Sequence, residues 1–308
     1  MNENRIIKAL TLNQEVRVYV ADTTELVDEA RRKHHTSKTA TAALGRTLTA
    51  NVILGADLKG EKDSVSIQIR TEGKAGNLIT LSNAACEVKG YISNPDADLP
   101  LRADGKLDVG GLLTTNGTLT IVKDIGLKEP YTGTIPLVSG EIAEDITYYF
   151  AKSEQIPTSI GLDVLVDKES GCVLKAGGFM IQLLPEASEE TIVKIEEILN
   201  SGITISKLLA EHENIQDILG ILLNGLDYEC IETLHPKYQC DCSKARFERG
   251  LISLGEEELG RMIEAKEGIE TVCHFCNKKY DFTLEELEMY RRVAVQAKEI
   301  LEKRNQKK

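Results

Sequence analysis

The chain has 308 residues, 42% of them hydrophobic and 5% aromatic, with no Trp and a formal net charge of −12. This length suits two domains, or one domain and a module, around aliphatic cores of Ile, Leu and Val. An acidic surface repels phosphate backbones and argues against general nucleic-acid binding. No stretch approaches the ~20 apolar residues of a membrane span. Met1–Arg5 lead into no apolar signal-peptide core, so a cytoplasmic protein is expected, with no membrane partner. The basic end, Lys303-Arg304 and Lys307-Lys308, reads as a frayed helix terminus rather than a binding arm.

Residues 14–20 alternate and predict a first strand. Thr23-Thr24 precedes a helix over Glu25–Ala30, and residues 37–58 carry apolar side chains at helical spacing. His34-His35 lies between the two helices. Neighbours on a helix point about 100° apart, so the pair is expected at the surface or a joint rather than as two ligands. Short strands follow at 65–70, 77–81, 87–92, 118–122 and 133–138, and their Gly- and Asn-containing turns argue for an antiparallel or mixed sheet. The spacing of Gly105, Gly110, Gly111 and Gly117 matches neither a dinucleotide fingerprint nor a phosphate loop, and these read as turn residues.

Residues 139–155 predict a helix with Ile142, Ile146, Tyr149 and Phe150 as its apolar stripe and Glu141, Glu144 and Asp145 as a solvated acidic face. Strands are expected at 160–166 and 172–184, the second containing Gly177-Gly178. Cys86 and Cys172 fall in strand-like contexts, where a buried, inert thiol is the default. Residues 188–226 are helical and aliphatic, with Ile195, Leu208, Leu209, Ile218, Leu219 and Leu222 among the periodic positions and a stop at Asn224-Gly225. Helices of this kind are unstable alone and must lay a broad apolar face on a partner. They are expected to dock on the N-terminal domain and to abut the module that follows.

That module is organised by Cys240-Asp241-Cys242 and Cys273-His274-Phe275-Cys276, which use four of the seven cysteines. Two tight pairs point to a tetrahedral Zn²⁺ site with Cys240, Cys242, Cys273 and Cys276 as ligands at about 2.3 Å each. In extended chain, residues i and i+2 share a face and lie about 6.6 Å apart at Cα. That distance is also near the upper limit of about 6.8 Å for a disulfide, so metal-bound dithiols and two short-range disulfides are both open. Cys230 lies outside the motif, and His235 and His274 support the ligands at most. Helices are expected at 246–254 and 256–265, and Thr283-Leu284-Glu285-Glu286 resembles a capping box that starts a last helix to about 301.

Four thiolates leave no open coordination position, so zinc hydrolysis is not expected. A thioredoxin-type enzyme would carry its C-x-x-C at a helix N-terminus after a strand. A non-enzymatic protein follows, in which zinc is either architecture or a switch. Zinc binding contributes roughly 10–16 kcal/mol in small Cys-rich peptides, against about 5–15 kcal/mol of stability for a whole domain. The fold class expected is α+β: an N-terminal mixed or antiparallel sheet domain with packed helices (1–178), a metastable helical linker (179–229) and a small four-cysteine zinc domain (230–308).

The chain resembles the redox-regulated 33-kDa heat-shock chaperone family of bacteria over essentially its whole length. The resemblance rests on Cys240-Asp241-Cys242-Ser243 with Arg246, on Cys273-His274-Phe275-Cys276, and on Gly140-Glu141-Ile142-Ala143-Glu144-Asp145 with Tyr148-Tyr149. Ala176-Gly177-Gly178-Phe179 and Gln182-Leu183-Leu184-Pro185 also fit. Tyr238 stands where the family commonly has Phe, and Lys244-Ala245 replaces a charged pair. The resemblance implies an ATP-independent holdase for unfolding client proteins, inactive while reduced with one Zn²⁺ per chain. It further implies that hypochlorite, or peroxide with heat, forms Cys240–Cys242 and Cys273–Cys276 disulfides and expels zinc. The module and linker then unfold, and the oxidised protein becomes a homodimer.

Overall fold

The computed structural model describes residues 4–305; Met1–Glu3 and Gln306–Lys308 lie outside them. The chain forms two compact units, one ending at Gln239 and the other starting at Cys240. The first unit holds two sheets. One has five antiparallel strands in the order β10 (Tyr228–Leu234), β1 (Arg5–Thr11), β2 (Val16–Asp22), β9 (Val173–Leu183) and β8 (Thr158–Val166). The other runs β11 (Lys237–Tyr238), β5 (Glu87–Ile92), β4 (Leu78–Asn83), β3 (Ser64–Thr71), β6 (Gly117–Asp124) and β7 (Tyr131–Pro136). In the second sheet β11 joins β5 in parallel and the remaining pairs are antiparallel, which makes it mixed. The α+β class expected above is the class observed.

Helix α2 (Lys38–Gly55) packs against strands of both sheets. Its sequence explains how it can: Ala, Thr and Gly keep it slim, and every residue from Thr39 to Gly55 except Arg46 is buried. A helix that is apolar or small all round belongs in a core. Its hydroxyls are satisfied locally, Thr47 and Thr49 donating to the carbonyls of Ala43 and Gly45 at 2.9 Å. Ser37 caps the helix by accepting from the Ala40 amide at 3.2 Å.

The five-stranded sheet is covered on both faces. Ile6, Tyr19 and Ala21 join the core around α1 (Thr24–His34) and α2, whereas Ile7, Ala9, Val16, Val18 and Val20 face a second apolar cluster. That cluster is completed by Ile195 of α5 (Glu189–Asn200), Leu208 and Leu209 of α6 (Ile205–Glu211), and Ile218, Leu219 and Leu222 of α7 (Ile215–Leu222). Gly177 permits this approach, since a Cβ there would lie 2.6 Å from Leu209 Cδ1 and 2.4 Å from the Ala21 carbonyl oxygen.

Several expectations change. β1 was not foreseen, because Ile6-Ile7 breaks alternation when both faces of a strand are buried. Gly110 and Gly111 lie in a short helix, α3 (Val109–Leu113), rather than in turns. The helix expected from 139 begins at Ala143: α4 spans Ala143–Tyr149 and continues as one π-helical turn, Phe150–Glu154. The acidic face is not solvated as a whole. Asp145 is fully buried and accepts from the amides of Val138 and Ser139 at 2.7 and 3.1 Å, and Glu141 pairs with Arg46 at 2.7 Å. Of the two places expected for His34-His35, His34 takes the joint, buried where α1 meets β11, and His35 is exposed at the surface. Cys86 is buried as expected, but Cys172 is exposed in the turn before β9.

Residues 230–239, grouped above with the zinc module, supply β10 and β11 to the first unit. β10 is an edge strand with mostly exposed side chains, held by backbone pairing to β1, so it carries little apolar periodicity. Likewise Phe179–Leu183, placed above in the linker, are part of β9 between β2 and β8.

The second unit is small. It comprises α8 (Lys244–Ser253), α9 (Glu256–Glu264), a hairpin of β12 (Ile269–Val272) and β13 (Lys279–Phe282), and α10 (Leu284–Asn305). Its core is Leu251, Leu259, Tyr280, Phe282, Leu287, Tyr290 and Ala294. The capping box forms at α10: the Thr283 amide donates to Glu286 Oε2 at 2.9 Å, and the Glu286 amide donates to Thr283 Oγ1 at 3.2 Å.

Candidate metal centre

Four cysteines converge at one end of the hairpin. Cys273 and Cys276 occupy the turn between β12 and β13, which the backbone folds into a knuckle. The Cys273 carbonyl accepts from the Cys276 and Asn277 amides at 3.2 and 2.8 Å, and the Cys273 amide donates to the Lys278 carbonyl at 2.9 Å. Asn277 takes φ 56°, a left-handed conformation that Asn tolerates better than most residues. Cys240 and Cys242 lie just before α8, whose N-cap Ser243 accepts from the Arg246 amide at 3.3 Å. Asp241, between the two cysteines, accepts from Arg246 Nη1 at 2.7 Å, which ties the first pair to the helix.

The sulfurs of Cys240, Cys242, Cys273 and Cys276 all lie within 4.8 Å of one another. Cys240 is 3.8 Å from Cys273, and Cys242 is 3.4 Å from Cys276. Metal–sulfur bonds of about 2.3 Å in a tetrahedron require sulfurs about 3.8 Å apart, so the arrangement fits a tetrahedral thiolate site. Among the described residues no histidine and no other cysteine joins this group. Cys230 projects from β10 in the first unit and is exposed.

Cys273 is buried and the other three sulfurs' residues are half-buried. Burial raises the thiols of Cys240 and Cys276 above the ordinary value. Burial also opposes ionisation of Cys242, but hydrogen bonds from Tyr280, Cys276, Cys240 and Cys273 outweigh it and hold that thiol below the ordinary range. The leading donor is the Tyr280 hydroxyl, 3.1 Å from Cys242 Sγ. Tyr280 was not singled out from the sequence. Its only signal was position: alternation puts Tyr280 and Phe282 on the core side of β13.

Comparison with known proteins gives a consistent result. The family model described as Hsp33 protein matches residues 4–283. A 33 kDa chaperonin of Bacillus subtilis is 47% identical over 283 residues, covering 92% of this chain and 96% of that protein. One from Caldanaerobacter subterraneus subsp. tengcongensis is 46% identical over 283 residues, with the same coverage of 92% and 96%. The crystal structure of a 33 kDa chaperonin from Thermotoga maritima superposes with a TM-score of 0.88 at 36% identity, covering 96% of this chain and 99% of that one.

Proposed function

The chain belongs to the Hsp33 family, and from that premise we propose that it is a redox-regulated, ATP-independent chaperone that holds unfolding proteins under oxidative stress. The observation that carries this reading is the convergence of two close cysteine pairs on one point. In the reduced state Cys240, Cys242, Cys273 and Cys276 hold one Zn²⁺ as thiolates. Bound there, the ion supplies a cross-link between the α8 end and the hairpin turn and no catalytic chemistry. Among the described residues the second unit's core has seven buried side chains, small for a separate unit, and a structural zinc site adds roughly 10–16 kcal/mol of folding energy.

Oxidation reverses that stabilisation. Each pair of thiolates, Cys240 with Cys242 and Cys273 with Cys276, gives up two electrons to form one disulfide. Peroxide takes those electrons and two protons from solvent to become two waters, or hypochlorite takes them to become chloride and water, and Zn²⁺ leaves. A disulfide sulfur is no longer a thiolate donor, so the chain loses its ligand set and the second unit its main cross-link. The helices α5–α7 are released in turn. Support for this step is their seat: they cover the five-stranded sheet through an aliphatic cluster separate from the core around α2. Release uncovers apolar surface on helices and sheet alike, the kind of surface that binds unfolding chains. Because Phe179–Leu183 are built into β9, the segment set free is the helical part after it. The oxidised protein dimerises and acts in the cytoplasm.

The test measures metal content, free thiols and client aggregation together. One zinc and seven free thiols per chain are expected before mild oxidation. After it, loss of the zinc and of the four thiols of Cys240, Cys242, Cys273 and Cys276 is expected, with suppressed light scattering from a thermally unfolding client. Oxidised, zinc-free protein that leaves client aggregation unchanged overturns the reading.

A further inference from the structure

The first unit contains a cavity of about 580 Å³ bounded by the start of α2, the loop between β5 and α3, the end of β8 and the start of α6. Four cations line it: Lys38, Arg46, Lys106 and Lys168. Two carboxylates, Asp98 and Asp163, line it with them, and Glu141, outside the lining, pairs with Arg46, which leaves a local surplus of positive charge in a chain whose net charge is −12. Both acids already hold donors. Asp98 accepts from the Thr39 amide and the Leu99 amide, each at 3.1 Å, and from the Thr39 hydroxyl. Asp163 accepts from the Val164 amide at 3.0 Å and from the Ser206 hydroxyl.

Arg46 is the one residue of α2 beyond Lys38 that is not buried outright, and its side chain is still only 12% exposed. Its Nη1 donates to Glu141 at 2.7 Å and its Nη2 lies 4.0 Å from Asp163. Its Nε is buried with no hydrogen-bond partner among the described residues. The opening is apolar: Leu101 is 49% and Leu165 44% exposed.

We propose that this cavity is a binding site for a small organic phosphate, a phosphate monoester on an apolar body. A phosphate monoester carries about −1.5 to −2 charges at neutral pH, and Lys38, Lys106 and Lys168, which make no ion pair among the described residues, can face it. Exposed lysines act as point charges toward phosphate, and the leucines bury the body. The volume falls within the roughly 300–1,000 Å³ of ordinary ligand pockets. Thr204 and Ser206 form one wall, so an occupant touches α6 directly.

Reduced, metal-loaded full-length protein titrated with 1-naphthyl phosphate in a calorimeter tests this. Saturable one-site binding is expected, with weaker binding of 1-naphthol and of inorganic phosphate. Because Lys106 and Lys168 are exposed, the double variant Lys106→Gln/Lys168→Gln should keep its melting temperature and bind roughly tenfold more weakly. Amide exchange should slow in residues 163–168 and 204–211. No saturation at millimolar ligand, equal binding of 1-naphthol or of inorganic phosphate, an unaltered double variant, or protection elsewhere would each overturn the proposal.

Discussion

His34 Nε2 lies 2.9 Å from the Tyr238 hydroxyl, which also lies 2.8 Å from the Gly90 carbonyl oxygen. A phenol has one proton, and a carbonyl can only accept. The proton therefore goes to Gly90, and His34 donates from Nε2. The cluster is buried, and it pins β11, the last strand before Cys240, against α1 and β5. Tyr238→Phe keeps the ring and removes the shared hydroxyl, leaving a buried carbonyl and a buried imidazole N–H without it. A loss of about 1–3 kcal/mol is expected. Urea unfolding of the reduced protein measures it; a variant as stable as the parent would show that the hydroxyl contributes nothing.

The helices α5–α7 offer a way to separate seating from redox chemistry. Leu219 is fully buried in the outer cluster and takes no part in the core around α2. Leu219→Ala should cost about 2–5 kcal/mol, felt first as loosening of α7 and its neighbours. On the proposed function, the reduced variant with its zinc retained already suppresses aggregation of a client. Faster amide exchange in 189–222 without any gain in holding activity would count against a role for these helices.

How much of this was legible in the sequence depends on where each residue's partners lie. The convergence of the four cysteines was readable because two cysteine pairs at short spacings are a local fact of the sequence. The outer cluster was readable because Ile218, Leu219 and Leu222 repeat at helical period. His34 and Tyr238 were not, since their bond spans 204 positions and neither residue has a periodic signature. Asp145 misled for a related reason: acidic neighbours suggest solvent, but its carboxylate folds back onto the amides of Val138 and Ser139. Cys172 misled because the strand begins one residue later, at Val173.

Asp28 should make stability depend on pH. Its carboxylate accepts from Arg31 at 2.7 Å and from the Val173 amide at 3.2 Å, and forms an ion pair with Arg32 at 3.1 Å, tying α1 to β9. Burial pushes its pKa upward, but the Arg31 hydrogen bond, the Val173 amide and the two arginine charges outweigh it and hold it below the usual carboxylate value. A depressed folded-state pKa means stability that is present above the unfolded value of about 3.9 and lost as pH falls through the folded one. Asp28→Asn should therefore cost about 1 kcal/mol near neutral pH and progressively less below about pH 4. Urea midpoints of both proteins across that range decide it; a gap that does not change with pH would assign the effect to packing instead.

Tyr280 should tune the metal centre without belonging to its ligand set. Its hydroxyl donates to Cys242 Sγ at 3.1 Å, and its ring packs against Phe247, with centroids 5.0 Å apart. Tyr280→Phe preserves the ring contact and removes the donor. Groups that hydrogen-bond a metal's ligands typically set affinity by about 10–100-fold, and the lower end is expected here because a sulfur accepts weakly. Competition with a chromogenic chelator should show zinc affinity about tenfold lower, with the far-ultraviolet spectrum of the loaded protein unchanged. Unaltered affinity would mean that the four thiolates hold the ion without help from the strand that carries Tyr280, and that the phenol serves the small core alone.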